Sequence, residues 1–207
     1  KVLTGFAAKV DESGDAFGVM GANMKGDLLP ALIEADTNLT VIGKGLKESI
    51  AATVQLSSNF GMGVVEAAKL SDNILDSAAS LGLSDDNAVN LFGSLMQITG
   101  MSFEQADNFS KSAYQLAQAN KINPSKVMEE IATNTELFAK YGADSADSIA
   151  LAANKAVKLG VGLKTVEKIS NSLLDFQSSL TKEVEASVAI GKTLNYQKAR
   201  ELALEGI

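Results

Sequence analysis

The chain has 207 residues, 46% of them hydrophobic but only 5% aromatic, and a formal charge of −7 from 18 basic and 25 acidic residues. It contains no Cys, His or Trp, which excludes thiol nucleophiles, imidazole bases, thiolate or imidazole metal ligation and disulfides. Arg200 is the single Arg, so an acidic chain with one bidentate donor is a poor reader of base edges, and sequence-specific nucleic-acid recognition is not expected.

Residues 1–30 are rich in Gly and Asp, with Gly5, Gly14, Gly18, Gly21 and Gly26 interrupting every helical window, and read as a loose segment. Residues 31–66 carry an amphipathic, heptad-like pattern in which Leu32, Leu39 and Leu46 recur at seven-residue spacing, with Ile42, Ile50 and Val54 between them. Gly43 and Gly45 weaken it. Packing within one chain and self-association through a short coil both fit this stripe, and Leu32, Leu39 and Leu46 are candidate contact residues.

Residues 67–162 form a quasi-repeat in which a helix ends near Gly, one apolar residue follows, and a polar residue opens the next helix. The stops are Gly82, Gly100, Asn120, Gly142 and Gly160, and the openings include Ser84, Ser102 and Asn123. Gly and Asn accept the left-handed conformation that closes a helix, and Ser, Asn and Asp accept orphan N–H groups. Ser102 with Gln105 has capping-box spacing, and Pro124 falls where a first-turn Pro is harmless. Between stops, Ala88, Leu91, Phe92 and Leu95, and Val127, Ile131 and Phe138, keep helical spacing. No segment shows the two-residue alternation of a half-buried strand.

Residues 163–207 read as one long amphipathic helix from Leu163 to Ile190, stopped by Gly191, then a terminal helix opened by Asn195. Its stripe is Val166, Ile169, Leu173, Phe176, Leu180, Val184 and Val188, with no internal Gly or Pro. These seven are the principal candidate oligomer or partner contacts, because a short terminal helix cannot cover them all. The predicted fold is all-α: a string of short helices with Gly and Asn stops plus one long amphipathic helix, extended or bundled by oligomerisation. Beginning at Lys1 and ending on Gly206 and Ile207, the chain is expected to be a fragment of a larger protein.

Chemistry-bearing motifs are weak. Ile190-Gly191-Lys192-Thr193 resembles the end of a phosphate loop, but Ala186 stands where its first Gly belongs and a helix rather than a strand precedes it. Gly43-Lys44-Gly45 and Gly61-Met62-Gly63 lack the third Gly of a dinucleotide fingerprint. Asp85-Asp86, Glu129-Glu130 and Glu183 with Glu185 read as solvated helix surface, and the six Met as fillers of core gaps. No catalytic, cofactor-binding or metal-binding residues are assigned, and no cofactor is expected. The uncharged stretches from Ser49 to Val65 and Asn87 to Phe103 fall short of the roughly 20 apolar residues of a spanning helix.

The run from Ser172 to Leu180, then Glu183-Val184-Glu185-Ala186 and Gly191 to Arg200, resembles tail tape-measure proteins of contractile-tailed bacteriophages. The resemblance covers residues 67–207 and lies in helical phrasing rather than an invariant motif. It implies a long helical protein in the tail-tube lumen that sets tail length and leaves ahead of the genome, with its C-terminal region near the tip. The implied partners are further copies of itself, a trimer favoured, and tail-tube and baseplate-hub proteins. The implied location is the virion tail, with host cytoplasm during assembly and membrane contact only during ejection. The segmented character departs from a single ruler helix, which leaves ruler and tip anchor both open. The rival reading is a helical domain of a secreted toxin or pore former, which liposome leakage would distinguish.

Overall fold

A computed structural model describes residues 28–141 and 146–204. Of the Gly-rich loose segment read over residues 1–30, residues 1–27 lie outside the described residues, as does the stop read at Gly142, while Leu29 and Pro30 are already helical, Pro30 sitting in a first turn where its missing N–H costs nothing. Within them the secondary structure is helical, with no strand. The helices are α1 (Leu29–Thr40), α2 (Leu46–Phe60), α3 (Val64–Leu81), α4 (Asp85–Thr99), α5 (Phe103–Ala119), α6 (Pro124–Ala132), α7 (Glu136–Tyr141), α8 (Ala146–Lys158), α9 (Leu163–Leu174), α10 (Phe176–Ile190) and α11 (Gln197–Leu204). The all-α expectation holds. Two compact units divide the chain, one ending at Ser112 and the other starting at Ala113, so the boundary falls inside α5.

In the first unit α3 is the central element, packed against α1, α2 and α4. Leu28, Ala31, Leu32, Leu46, Val64 and Ala68 form a buried cluster, with Ile50, Val54 and Val65 against it. Small residues line the approach of α2 to α3, where buried Ser49 and Ser71 share a 2.8 Å hydrogen bond between hydroxyls. That pairing satisfies polar groups that would otherwise be costly to bury. On α4, Phe92 is fully buried and its ring stacks on Phe103 at 5.3 Å. Gly93 follows it because a Cβ there would meet the Phe60 ring at 2.5 Å, closer than carbon atoms approach.

The predicted stops are real where the chain needs a left-handed residue. Gly82, Gly100, Gly160 and Gly191 all have φ between 66° and 74°. After Gly82 and Gly160 the next residue closes a hydrogen bond back into the helix, Leu83 N–H to Ala78 O at 2.9 Å and Val161 N–H to Ala156 O at 3.0 Å. The stop read at Asn120 sits one residue later. Lys121 takes the left-handed conformation with φ 57°, and the Asn120 amide donates to Leu116 O instead. Gly61, with φ 67°, is a further stop of the same kind.

Starts follow suit. Ser102 N–H donates to the Gln105 carboxamide at 2.9 Å while Gln105 N–H donates to the Ser102 hydroxyl at 3.2 Å, closing the predicted capping box. Asn123 accepts from Ser125 N–H and Ser84 from Asn87 N–H. Two starts use a carboxylate from an earlier helix. Leu46 N–H, at the head of α2, donates to Asp36 of α1 at 2.6 Å, and Leu163 N–H, at the head of α9, donates to Glu130 of α6 at 2.9 Å. A glycine, Gly45 or Gly162, occupies the cap position in both, and a Cβ at either would stand 3.1 or 3.2 Å from that carboxylate. Glu130 is thus a capping ligand rather than the solvated surface group expected.

In the second unit the buried side chains of α6 to α8, among them Val127, Met128, Ile131, Leu137, Ile149 and Ala153, make the core. Beyond Leu163, only Ser179, Arg200 and Ala203 are buried among the described residues. The segment α9 to α11 has no apolar core of its own.

Candidate functional site

The long helix expected from Leu163 to Ile190 is two helices. Asp175, with φ −77° and ψ 81°, leaves the helical region, and its carboxylate accepts the Ser178 N–H at 3.3 Å to cap α10. Asp competes for backbone donors with its short side chain, which makes it a poor interior helix residue and a good opener. The break therefore follows from an ordinary residue type with no Gly or Pro to announce it.

The ten candidate contact residues divide. Leu32, Leu39 and Leu46 are at most 4% exposed and are covered inside the first unit by the chain's own helices. Along α9 and α10, Val166 and Leu173 are half-buried while Ile169, Phe176, Leu180, Val184 and Val188 are 45–78% exposed. Leu174, Ile190, Tyr196, Leu202 and Leu204 extend the exposed apolar material. Scattered exposed aliphatics are normal on a protein surface, but here they concentrate on α9 to α11 and the link that precedes α11.

After Gly191 the chain turns back as α11. It packs on α9, and Arg200 reaches α10, donating to the Ser179 hydroxyl at 3.1 Å and to the Glu183 carboxylate at 2.7 Å. Glu183 also accepts the Tyr196 N–H at 3.1 Å, and the Ser187 hydroxyl accepts the Leu194 N–H at 2.9 Å. Composition singled out Arg200 as the only guanidinium, but no spacing rule joined it to Glu183, which had been read as solvated surface. The Arg200 guanidinium, helped by the Tyr196 amide, holds the Glu183 carboxyl below its ordinary value of 4.5. Because the folded value is depressed, the clasp's contribution is present above pH 4.5 and is lost as pH falls through the folded value. Glu183→Gln is expected to remove this acid limb from the thermal midpoint plotted against pH, and the Glu183 carboxyl chemical shift of the unaltered chain reads the titration itself. A Glu183 titrating at or above its ordinary value would refute the clasp.

The residues with phosphate-loop phrasing run off the C-terminal end of α10. Gly191 N–H and Lys192 N–H are taken by the Val188 and Ser187 carbonyls, so these donors turn into the helix end. Gly43 to Gly45 and Gly61 to Gly63 join helix to helix. Lys44 pairs with Asp85 and donates to Leu75 O at 3.2 Å, which ties the α1–α2 link to α3 and α4. Among the described residues no group of three or more acidic side chains is placed to hold a metal ion, and no helix is long and apolar enough to cross a membrane. No protein-family model, curated protein or solved structure matches the chain.

Proposed function

We propose that the chain is a structural, non-enzymatic segment of a bacteriophage tail tape-measure protein, held in the tail lumen or hub by contacts along α9 to α11. The observation that carries the structural role is the apolar surface of these helices, from Ile169 to Val188, with almost nothing buried beneath it. A segment that lacks its own core is stable where other chains cover it. The phage setting rests on the phrasing of Ser172 to Leu180 and Gly191 to Arg200. Copies bundled about the tube axis, three in the favoured arrangement, would cover one another's stripes, with tail-tube and hub proteins around them.

The test has two arms. Sedimentation of the chain across micromolar concentrations is expected to show association, and peptides of the chain are expected in purified tails of the phage that encodes it. In-frame deletion of residues 163–204 should leave particles without complete tails. Complete, infectious tails formed without those residues would sink the reading.

A further inference from the structure

The attachment of α11 is mainly polar. Inward it turns Ala203, the half-buried Ala199 and the guanidinium of Arg200, while Leu202 and Leu204 stay exposed. It packs on α9, and its tie to α10 is Arg200, bonded to Ser179 and Glu183. The side of α10 that meets it is polar too: Ser179, Glu183 and Ser187 take the Arg200 side chain and the N–H groups of Tyr196 and Leu194. Little apolar area returns to water if this contact opens, and the donors and acceptors it frees can be hydrated. At eight residues α11 is also too short to keep its helix alone. Such an element stands at the low-stability end of a fold.

We infer that α11 and the link before it form a releasable strap on α9, latched by the charge on Glu183. Arg200 is 6% exposed, and among the described residues Glu183 is the only acid paired with it. A neutral Glu183 would leave the guanidinium buried without its counter-charge, which costs far more than one lost hydrogen bond, and the nearest relief is for α11 to swing out and let water reach it. The other charges nearby do not replace the latch. On α9, Lys164 and Glu167 pair with Glu136 and Lys140 of α7, and Lys168 is exposed. On α11, Lys198 pairs with Glu201, and on α10 itself Lys182 and Glu185 are exposed. Lys192 of the link lines the same shallow groove as Glu183 but has the wrong sign to balance Arg200. Because Arg200 holds the carboxyl below its ordinary value, the strap is closed above pH 4.5 and released as pH falls through the folded value. Release uncovers α9, on which Val166 and Leu173 are half-buried in the closed form.

The full 207-residue chain has no Cys, so a single introduced thiol reports opening. Ala203→Cys places one on the covered face of α11, and Ala189→Cys, at an exposed site, gives the unprotected rate. The probe is a dithiodipyridine, which reacts with thiols in acid as well as at neutral pH. At about neutral pH the Ala203→Cys chain is expected to react on the order of a hundredfold more slowly than the Ala189→Cys chain. At about pH 3 the two rates should agree within about threefold, with helicity by circular dichroism falling by no more than α11 itself. Adding Glu183→Gln to Ala203→Cys should give fast reaction at both pH values. Adding Glu183→Gln and Arg200→Met together removes the stranded charge with the latch and should give slow reaction at both, since a buried ion pair exchanged for neutral groups need not cost stability. That chain keeps the Lys140–Glu167 and Lys164–Glu136 pairs, so fast reaction in it at acid pH would mean that acid loosens the whole unit, and the latch is overturned. Fast reaction in it at neutral pH, or slow reaction of the Ala203→Cys chain in acid, overturns the latch as well. Hydrogen exchange of the α11 amides in the chain without Cys makes the same comparison free of any effect of the new thiol.

Discussion

Phe92→Ala is expected to cost the first unit about 3–5 kcal/mol, the range for removing a fully buried aromatic ring whose surroundings relax only in part. Phe92 has no exposed surface, and its ring lies 5.3 Å from that of Phe103 with 23° between their planes. Phe103 opens α5, so the stacked pair joins the start of one helix to the middle of another. Truncation loses the buried area, the ring contact and the seat of the α4–α5 junction together. Urea-dependent hydrogen exchange is the appropriate readout, because two compact units need not unfold as one. Amides of α3 and α4 should lose the most protection. A change below about 1 kcal/mol would mean that the site collapses around the gap and is not the packed centre described.

The second large effect concerns association rather than folding. Leu180 and Val188 are 50% and 78% exposed in the single chain, so Leu180→Asp with Val188→Asp should move fold stability by no more than about 0.5 kcal/mol for each site. In an assembly that covers them, each carboxylate would have to be buried unpaired or the seam opened, at a cost of several kcal/mol. With tenfold in affinity for every ~1.4 kcal/mol, association should weaken by on the order of a hundredfold or more. Sedimentation equilibrium of the variant beside the unaltered chain reads this directly, with circular dichroism to show that the fold is kept. Unchanged association would place the contact elsewhere on the molecule. Leu173 is a poorer site for this experiment, being half-buried within its own chain.

The chain's punctuation was legible and its tertiary consequences were not. Gly82, Gly100, Gly160 and Gly191 announce helix ends because a left-handed φ is nearly free for Gly and costly for most other residues, a signal that lives in one position. Ser102 with Gln105 and Asn123 with Pro124 are legible for the same reason, being complete within four residues. Leu32, Leu39 and Leu46 show the limit: seven-residue spacing states that one face is covered but not by which chain, and here α1 and α2 belong to a core closed within the first unit. Asp175 carries no signal as local as a Gly or Pro, so the apolar spacing around it reads as one unbroken helix. What decides the break is whether its carboxylate finds a backbone donor, and here it finds Ser178. Arg200 and Glu183 lie far apart along the chain, and only the turn of α11 against α10 brings them together.

The two helix starts closed by a carboxylate from elsewhere bear on how this protein can be dissected. Leu163 N–H is satisfied by Glu130, which lies on α6, so the first turn of α9 is fastened by a residue outside any fragment that begins at position 163. Cut free, such a fragment would fray at its N-terminal end, its amides exchanging with solvent in the turn that the intact chain protects. The same holds for α2 without Asp36. Peptide dissection would therefore understate the helicity of both elements, and folding of their first turns is coupled to the arrival of a neighbour rather than nucleated locally.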